Sequence, residues 1–203
     1  MNSAMNSAGT DQLLRRIAEG DERALDRLLG EQRDYLRRLL EARMEPGLRQ
    51  RVDPSDVIQE AMLVASRRID DYLDRRPTTF RLWLRRKTLE RLIEARRKHF
   101  AQKRTIDRES PLTDASSLAI ARHLLSERPS AVVMRQELGG QVREAMLTLS
   151  ESDREILILR NAEHLTNFEV AQLLEIDPKT ASKRYGRAVL RLSEQLSQMG
   201  VSN

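Results

Sequence analysis

Residues 145–192, AMLTLSESDREILILRNAEHLTNFEVAQLLEIDPKTASKRYGRAVLRL, decide how the chain is read. From Pro178 onward, Ala181, Tyr185, Ala188 and Leu192 recur at steps of four, three and four, which places them on one side of a helix. Thr180, Lys183, Arg184, Arg187 and Arg191 fall on the other side. Between Pro178 and Leu192 there are five basic residues and no acidic one, so this positive face is a local feature. Upstream, Thr166 and Glu169 have capping-box spacing, in which a hydroxyl and a carboxylate satisfy free amides at a helix start. Val170, Ala171, Leu173 and Leu174 supply a short helix with a buried side. Glu175-Ile176-Asp177 predicts the turn, with Ile176 plugging the angle, Asp177 as N-cap and Pro178 in the first helical position. This pattern is a helix-turn-helix, whose second helix commonly enters a DNA major groove. A short surface helix pair with a basic outer side gives the same pattern without binding DNA.

Composition narrows the setting. The 203 residues can hold one or two small domains, and aromatic residues make up only 3%, which suits helix packing; the expected class is all-α. Lys and Arg number 36 against 31 Asp and Glu, so a net charge of +5 does not itself select nucleic acid. Cysteine is absent, which excludes disulfides, a thiolate nucleophile and a Cys-rich zinc site, and a reducing cytoplasm is the expected compartment. No apolar run reaches membrane-spanning length, and MNSAMNSAGT lacks the pattern of a signal peptide. Residues 1–10 are expected to form a disordered lead-in.

A first helix is predicted from a Thr10 or Asp11 cap through Leu13, Leu14 and Ile17, and Gly20-Asp21 restarts a second with Ala24, Leu25, Leu28 and Leu29. Tyr35, Leu36, Leu39 and Leu40 extend it until Pro46-Gly47. Asp53-Pro54 then caps a long helix whose apolar stripe runs Ile58, Ala61, Met62, Ala65, Ile69, Tyr72 and Leu73. After the polar loop 74–79, capped by Thr78 or Thr79, helix resumes to about Phe100. Arg81 to Arg104 contains ten Lys and Arg against Glu90 and Glu94. Residues 105–129 form a Ser-rich linker bounded near its ends by Pro111 and Pro129, with a weak helical pattern from Leu118 to Leu125. Ser130 and Ser150 cap the next two helices. The expected organisation is therefore a tail at 1–10, a domain at 11–104, a linker at 105–129 and a helix-turn-helix domain at 130–199.

The combination resembles bacterial RNA polymerase sigma factors, specifically the compact sigma-70 relatives of the extracytoplasmic-function (ECF) group, which keep only the second and fourth conserved regions. Asp56-Val57-Ile58-Gln59-Glu60 is similar to the family's D-L-V-Q-E core-binding helix, and Phe80 to Leu84, FRLWL, to F-R-x-W-L. Ile93 to Lys98 stands for the D-x-x-R-R ending. LTLSESDREILILR is similar to the opening of the fourth region, and TASKR stands where T-V-K-S-R is typical. The resemblance spans about residues 11–100 and 130–196. Glu175 occupies a turn position where the family commonly has glycine, Ser182-Lys183 reverses its Lys-Ser, and Glu90 replaces its Asn.

The resemblance implies an initiation factor without catalytic site, metal or cofactor, whose partners are polymerase core and promoter DNA. Asp53, Asp56, Gln59 and Glu60 are the implied core-binding residues; the competing reading makes them dipole-favoured residues of a helix start. Arg75, Arg76, Thr78, Thr79, Phe80, Arg81, Arg85, Arg86, Arg96, Arg97 and Lys98 are candidates for the −10 element and its separated strand. Trp83 is expected to pack in the core. Lys179, Thr180, Ser182, Lys183, Arg184 and Arg187 are candidates for the −35 element, with Arg191 on phosphate or water. An inhibitory anti-sigma partner is implied for many members, and no residue here marks one. The free protein is expected to be monomeric. Fully extended, the linker reaches on the order of 80 Å, enough to span two promoter elements; whether it is a tether or also threads a polymerase channel stays open. The alternative is a dimeric helix-turn-helix regulator on a palindromic site. An enzyme fits poorly, since His99, His123 and His164 are scattered and no nucleophile or phosphate-loop motif occurs.

Overall fold

The computed structural model describes residues 2–100, 120 and 132–200, and every element among them is helical. Two compact units emerge, Met1–Leu40 with Pro46–Ile106, and Glu41–Glu45 with Asp107–Asn203. The expected linker and the Ser130 cap lie outside the described residues, apart from Ile120, which is fully buried.

The first unit takes in α1 (Asn2–Ala18), most of α2 (Glu22–Arg43), α3 (Pro46–Arg49), α4 (Pro54–Arg67), α5 (Ile69–Arg75) and α6 (Phe80–Phe100). Helix α1 starts eight residues before the expected Thr10, so the lead-in expected to be disordered is helical from Asn2. Ala4, Met5 and Ala8 favour helix, and Gly9 is the single strong opponent in that stretch. The helix stops at Gly20, whose φ of +89° costs glycine little and lets Asp21 N–H reach the Arg16 carbonyl at 3.0 Å. Leu13, Leu14, Leu28, Leu36, Leu39 and Leu40 are buried, as their helical spacing predicts.

Asp53 caps α4 by accepting from Ser55 N–H at 2.8 Å, with Pro54 in the first turn, and Val57, Ile58, Ala61, Met62 and Ala65 are its buried side. The long helix expected through Leu73 is divided at Arg68, which leaves helical geometry at φ −115°, ψ 16°. The charge pattern suits a break there. Arg67 lies at the negative end of α4's dipole and Asp70 and Asp71 at the positive end of α5's. Tyr72 on α5 then meets Phe80 and Trp83 on α6, with ring centroids 5.5 and 4.9 Å away, and all three side chains are buried. Burial pushes the Tyr72 phenol up to about 12, and its hydroxyl donates to the Thr78 carbonyl at 3.0 Å, closing the α5–α6 loop.

The second unit contains α7 (Val132–Thr148), α8 (Glu151–Leu157), a π turn (Ile158–Ala162), α9 (Asn167–Leu173) and α10 (Pro178–Gln198). Ser150 caps α8 through the amide of Asp153. Helix α8 widens at Ile158 into the π turn, where Glu163 N–H bonds the Ile158 carbonyl at 3.0 Å. Val142, Met146, Ile156, Leu157, Ile158 and Leu159 are buried together with the inner side of α10. Within this unit Arg43 bonds Glu155 at 2.7 Å and Glu163 at 2.6 Å. Burial disfavours the guanidinium charge, and the two carboxylates more than offset this, raising its pKa.

Candidate nucleic-acid interface

The capping box at α9 is complete: Thr166 Oγ1 accepts from Glu169 N–H at 3.1 Å, and Glu169 Oε2 accepts from Thr166 N–H at 2.8 Å. The helix ends where Ile176 N–H reaches back to the Ala171 carbonyl at 3.0 Å, a closure that requires a left-handed residue between them. That residue is Glu175, at φ +54°. Ile176 follows as a half-buried residue of the turn.

Asp177 opens α10 by accepting from Thr180 N–H at 2.9 Å, and these hydrogen bonds to Thr180 hold its carboxyl below the usual carboxylate range. Asn167 Nδ2 donates to the Pro178 carbonyl at 2.7 Å, fastening the start of α9 to the start of α10. Ala181, Ala188, Leu192 and Leu196 are buried, so the apolar stripe points inward. Tyr185 is half-buried and donates to Asn161 Oδ1 at 2.9 Å, while the Arg160 guanidinium lies 5.3 Å from its ring centre. Asn161, 2% exposed, also donates to the Leu157 carbonyl. The π turn thus carries the residue that holds the second helix.

Lys179, Thr180, Ser182, Lys183 and Arg187 are exposed and Arg184 is half-buried, all outside the packed stripe of α10. Arg191, expected on phosphate or water, keeps a side chain 55% exposed and also has a partner within the unit. It pairs with the buried Asp153 carboxylate at 2.5 Å and joins α10 to α8.

In the first unit Asp53, Asp56, Gln59 and Glu60 are exposed along α4, while Val57 and Ile58 between them are buried. Gln59 also lines a groove with Met62 and Leu63 of α4 and Asp26, Leu29, Gly30 and Arg33 of α2. Leu63 is 51% exposed there, an apolar residue unusual on a polar rim.

The −10 candidates divide. Arg75 and Arg76 are exposed, and Thr78 and Thr79 are half-buried, with Thr79 capping α6 through Leu82 N–H. Arg76 is left-handed at φ +36°. Phe80, 2% exposed, and Arg85, 7% exposed, are core residues, and no nucleotide reaches either side chain in this conformation. Phe80 opens α6 and Arg85 lies five residues on, both in the stretch of the helix that is packed into the unit, and Trp83 packs beside Phe80 as expected. Arg81 is half-buried, its guanidinium 4.0 Å from the Tyr35 ring centre. Arg86 is exposed and bonds Glu90 at 3.2 Å; Arg96, Arg97 and Lys98 are exposed near the end of α6. Burial works against the Glu90 carboxylate, but Lys87 and Arg86 outweigh it and lower its pKa.

The sequence reading selected no residue at the end of α4, yet Arg67 and Arg68 face Lys87, Glu90 and Arg91 of α6 across a cleft. The two pairs lie about twenty positions apart in sequence, so only the α4–α6 packing brings them together. Among the described residues no group of acidic residues and histidines could hold a metal ion, and no helix is long and apolar enough to cross a membrane.

Residues 139–192 match the family model for sigma-70, region 4. Among solved structures, the chain is similar to CnrH in the structure of CnrH in complex with the cytosolic domain of CnrY. The TM-score is 0.55 at 22% identity, over 94% of this chain and 98% of that one. No curated protein matches the chain.

Proposed function

We propose that the chain is a sigma factor of the sigma-70 family, in the two-domain form of its ECF group, and that it binds RNA polymerase core and directs it to promoters by reading −10 and −35 elements; the region 4 match and the fold shared with CnrH support this. The observation that carries this is α10: a helix braced by its N-cap, by Asn167 and by the Tyr185–Asn161 bond, with Lys179, Thr180, Ser182, Lys183, Arg184 and Arg187 turned away from its core. Arginine pairs bidentately with guanine edges, and lysine and hydroxyls contact bases or phosphates. The bracing matters for reading, because a recognition helix discriminates bases only if its side chains enter the groove at a fixed pitch.

On the first unit, Asp53, Asp56, Gln59 and Glu60 form the core-docking side. Asp53 serves also as a helix cap, so its substitution affects folding as well as docking. The adjoining groove with half-exposed Leu63 offers apolar contact area beside these carboxylates. The −10 surface consists of Arg75, Arg76, Thr78, Thr79, Arg81, Arg86, Arg96, Arg97 and Lys98, without Phe80 and Arg85. For DNA melting, the exposed cations near the end of α6 supply the charge that holds the separated strand. CnrH was solved in complex with the cytosolic domain of CnrY, and a protein domain bound in the same way, as an anti-sigma partner, is a candidate for this chain too. The protein is expected to be cytoplasmic and monomeric when free.

The deciding experiment is reconstituted transcription with polymerase core on a pool of promoter fragments, comparing the wild type with Asp56→Lys/Glu60→Lys. Initiation that requires the wild type and is lost in the folded double variant supports the reading. Sequence-specific DNA binding as a dimer, with no core binding, would replace it with the dimeric regulator.

A further inference from the structure

Helix α10 carries a glycine for which nothing in the protein calls. Gly186 lies in the interior of the helix, and a Cβ there would meet nothing within 4 Å. Glycine inside a helix costs stability relative to alanine, so a missing side chain that no neighbouring group requires is explained by something that comes against the helix from outside. Gly186 is exposed, three residues after Lys183 and four before Leu190, which puts the three along one side of the helix with exposed Arg187 beside them. That side is turned away from the buried Ala181, Ala188, Leu192 and Leu196. Leu190 is 64% exposed, so the core does not use its side chain either. The bare Cα of Gly186 offers no polar group to a ligand, because an amide in the interior of a helix is already bonded four residues back. A phosphate or a polar base edge gains nothing there. An apolar group does, and the apolar group that a base presents in the major groove is the 5-methyl of thymine.

We propose that Gly186 is a specificity-determining residue, leaving room for the methyl group of one thymine of the −35 element to lie against the α10 backbone, with Leu190 as the apolar wall beside it. The inference rests on the reading of α10 as the −35 helix and adds to it the identity of one base. Lys183 and Arg187 act on neighbouring base edges or phosphates by charge and hydrogen bonding, whereas Gly186 selects by shape. An alanine Cβ would take the space of the thymine methyl, so the two exclude each other, and a base without the methyl restores the fit.

The test uses the full chain with polymerase core. Duplexes are enriched from a random pool, and each thymine in the −35 element of the enriched fragment is replaced in turn by uracil, which lacks only the methyl. For the wild type, one such replacement weakens binding about fourfold, the factor that burial of one methyl group carries. Gly186→Ala weakens binding to the thymine fragment by about fivefold or more, as a mismatched base pair does, and the same uracil replacement restores most of the loss. Misfolding cannot imitate a recovery that depends on the DNA, and alanine favours the helix. The proposal is overturned if the enriched −35 element contains no thymine, or if Gly186→Ala binds the thymine fragment as tightly as the wild type. It is overturned as well if Gly186→Ala binds no uracil fragment more tightly than the thymine one, a result that puts the sugar–phosphate backbone against Gly186. Lys183→Ala/Arg187→Ala separates these outcomes from failure of the −35 reading: a loss there with Gly186→Ala unchanged sinks only the thymine assignment, whereas no loss in either, or no enriched sequence, sinks the reading of α10 itself.

Discussion

Replacing Glu175 by glycine should stabilise the second unit. The residue stands at φ +54° in the turn of the helix-turn-helix, where Ile176 N–H must close on the Ala171 carbonyl. A side chain in the left-handed region costs about 1–2 kcal/mol, from the approach of Cβ to the following carbonyl. Glycine removes that strain but loses about 0.5–1 kcal/mol through the greater freedom of its unfolded chain. The Glu175 side chain is exposed, so little packing is lost. The expected net gain is about 0.5–1 kcal/mol, which for a domain of this size raises its melting midpoint by roughly 2–8 °C. The single tryptophan, Trp83, lies in the first unit, so its fluorescence reports that unit while circular dichroism reports both. Glu175→Gly should shift the dichroism transition of the second unit and leave the tryptophan transition in place. Glu175→Ala, which keeps the left-handed strain, should give a smaller shift. Gly186→Ala supplies the converse: Gly186 is in the interior of α10, a Cβ there meets nothing within 4 Å, and alanine should stabilise the helix by about 1 kcal/mol. A lowered dichroism midpoint in Glu175→Gly would refute the strain argument.

Tyr185→Phe keeps the ring and leaves buried Asn161 Oδ1 without its donor, so chemical denaturation should show a loss of about 1–3 kcal/mol. Arg43→Leu removes a guanidinium from buried Glu163 and should cost the second unit on the order of 3 kcal/mol, read from its dichroism transition; an unchanged midpoint would mean the ion cluster adds nothing. Phe80→Ala should destabilise the first unit by about 3–5 kcal/mol in urea, whereas a folded variant impaired only in DNA binding would restore Phe80 to the −10 surface. Lys183→Ala and Arg187→Ala should weaken promoter binding without moving the midpoint. A uniform loss across sequences marks a phosphate contact, and a loss of about 1–3 kcal/mol confined to one base pair marks a base contact.

Local rules and packing divide what this sequence discloses. Asp53, Ser150, Thr166 and Asp177 each announce a helix start because a cap acts within three residues, and all four bond as expected. The inward side of α10 is legible for the same reason: helical periodicity sorts its residues without reference to any other element. A shared periodicity could not reveal the break at Arg68, because Ile69 and Tyr72 remain buried on either description of the helix. What the break changes is the direction of Tyr72, which meets Phe80 and Trp83, and that depends on where α6 lies. Arg191 shows the same limit. Its place near the end of a basic helix suggests phosphate, and nothing local announces that Asp153, thirty-eight residues earlier, pairs with it. Phe80 and Arg85 are a related case, since a basic, aromatic-containing run reads as a nucleic-acid surface until the buried side of the helix is known. A run of cations along a chain is therefore a weaker indication of a binding surface than cations that converge from different helices. Arg85 stands in the densest basic run of the first unit and is yet only 7% exposed, so the run alone does not mark the surface that a nucleotide can reach.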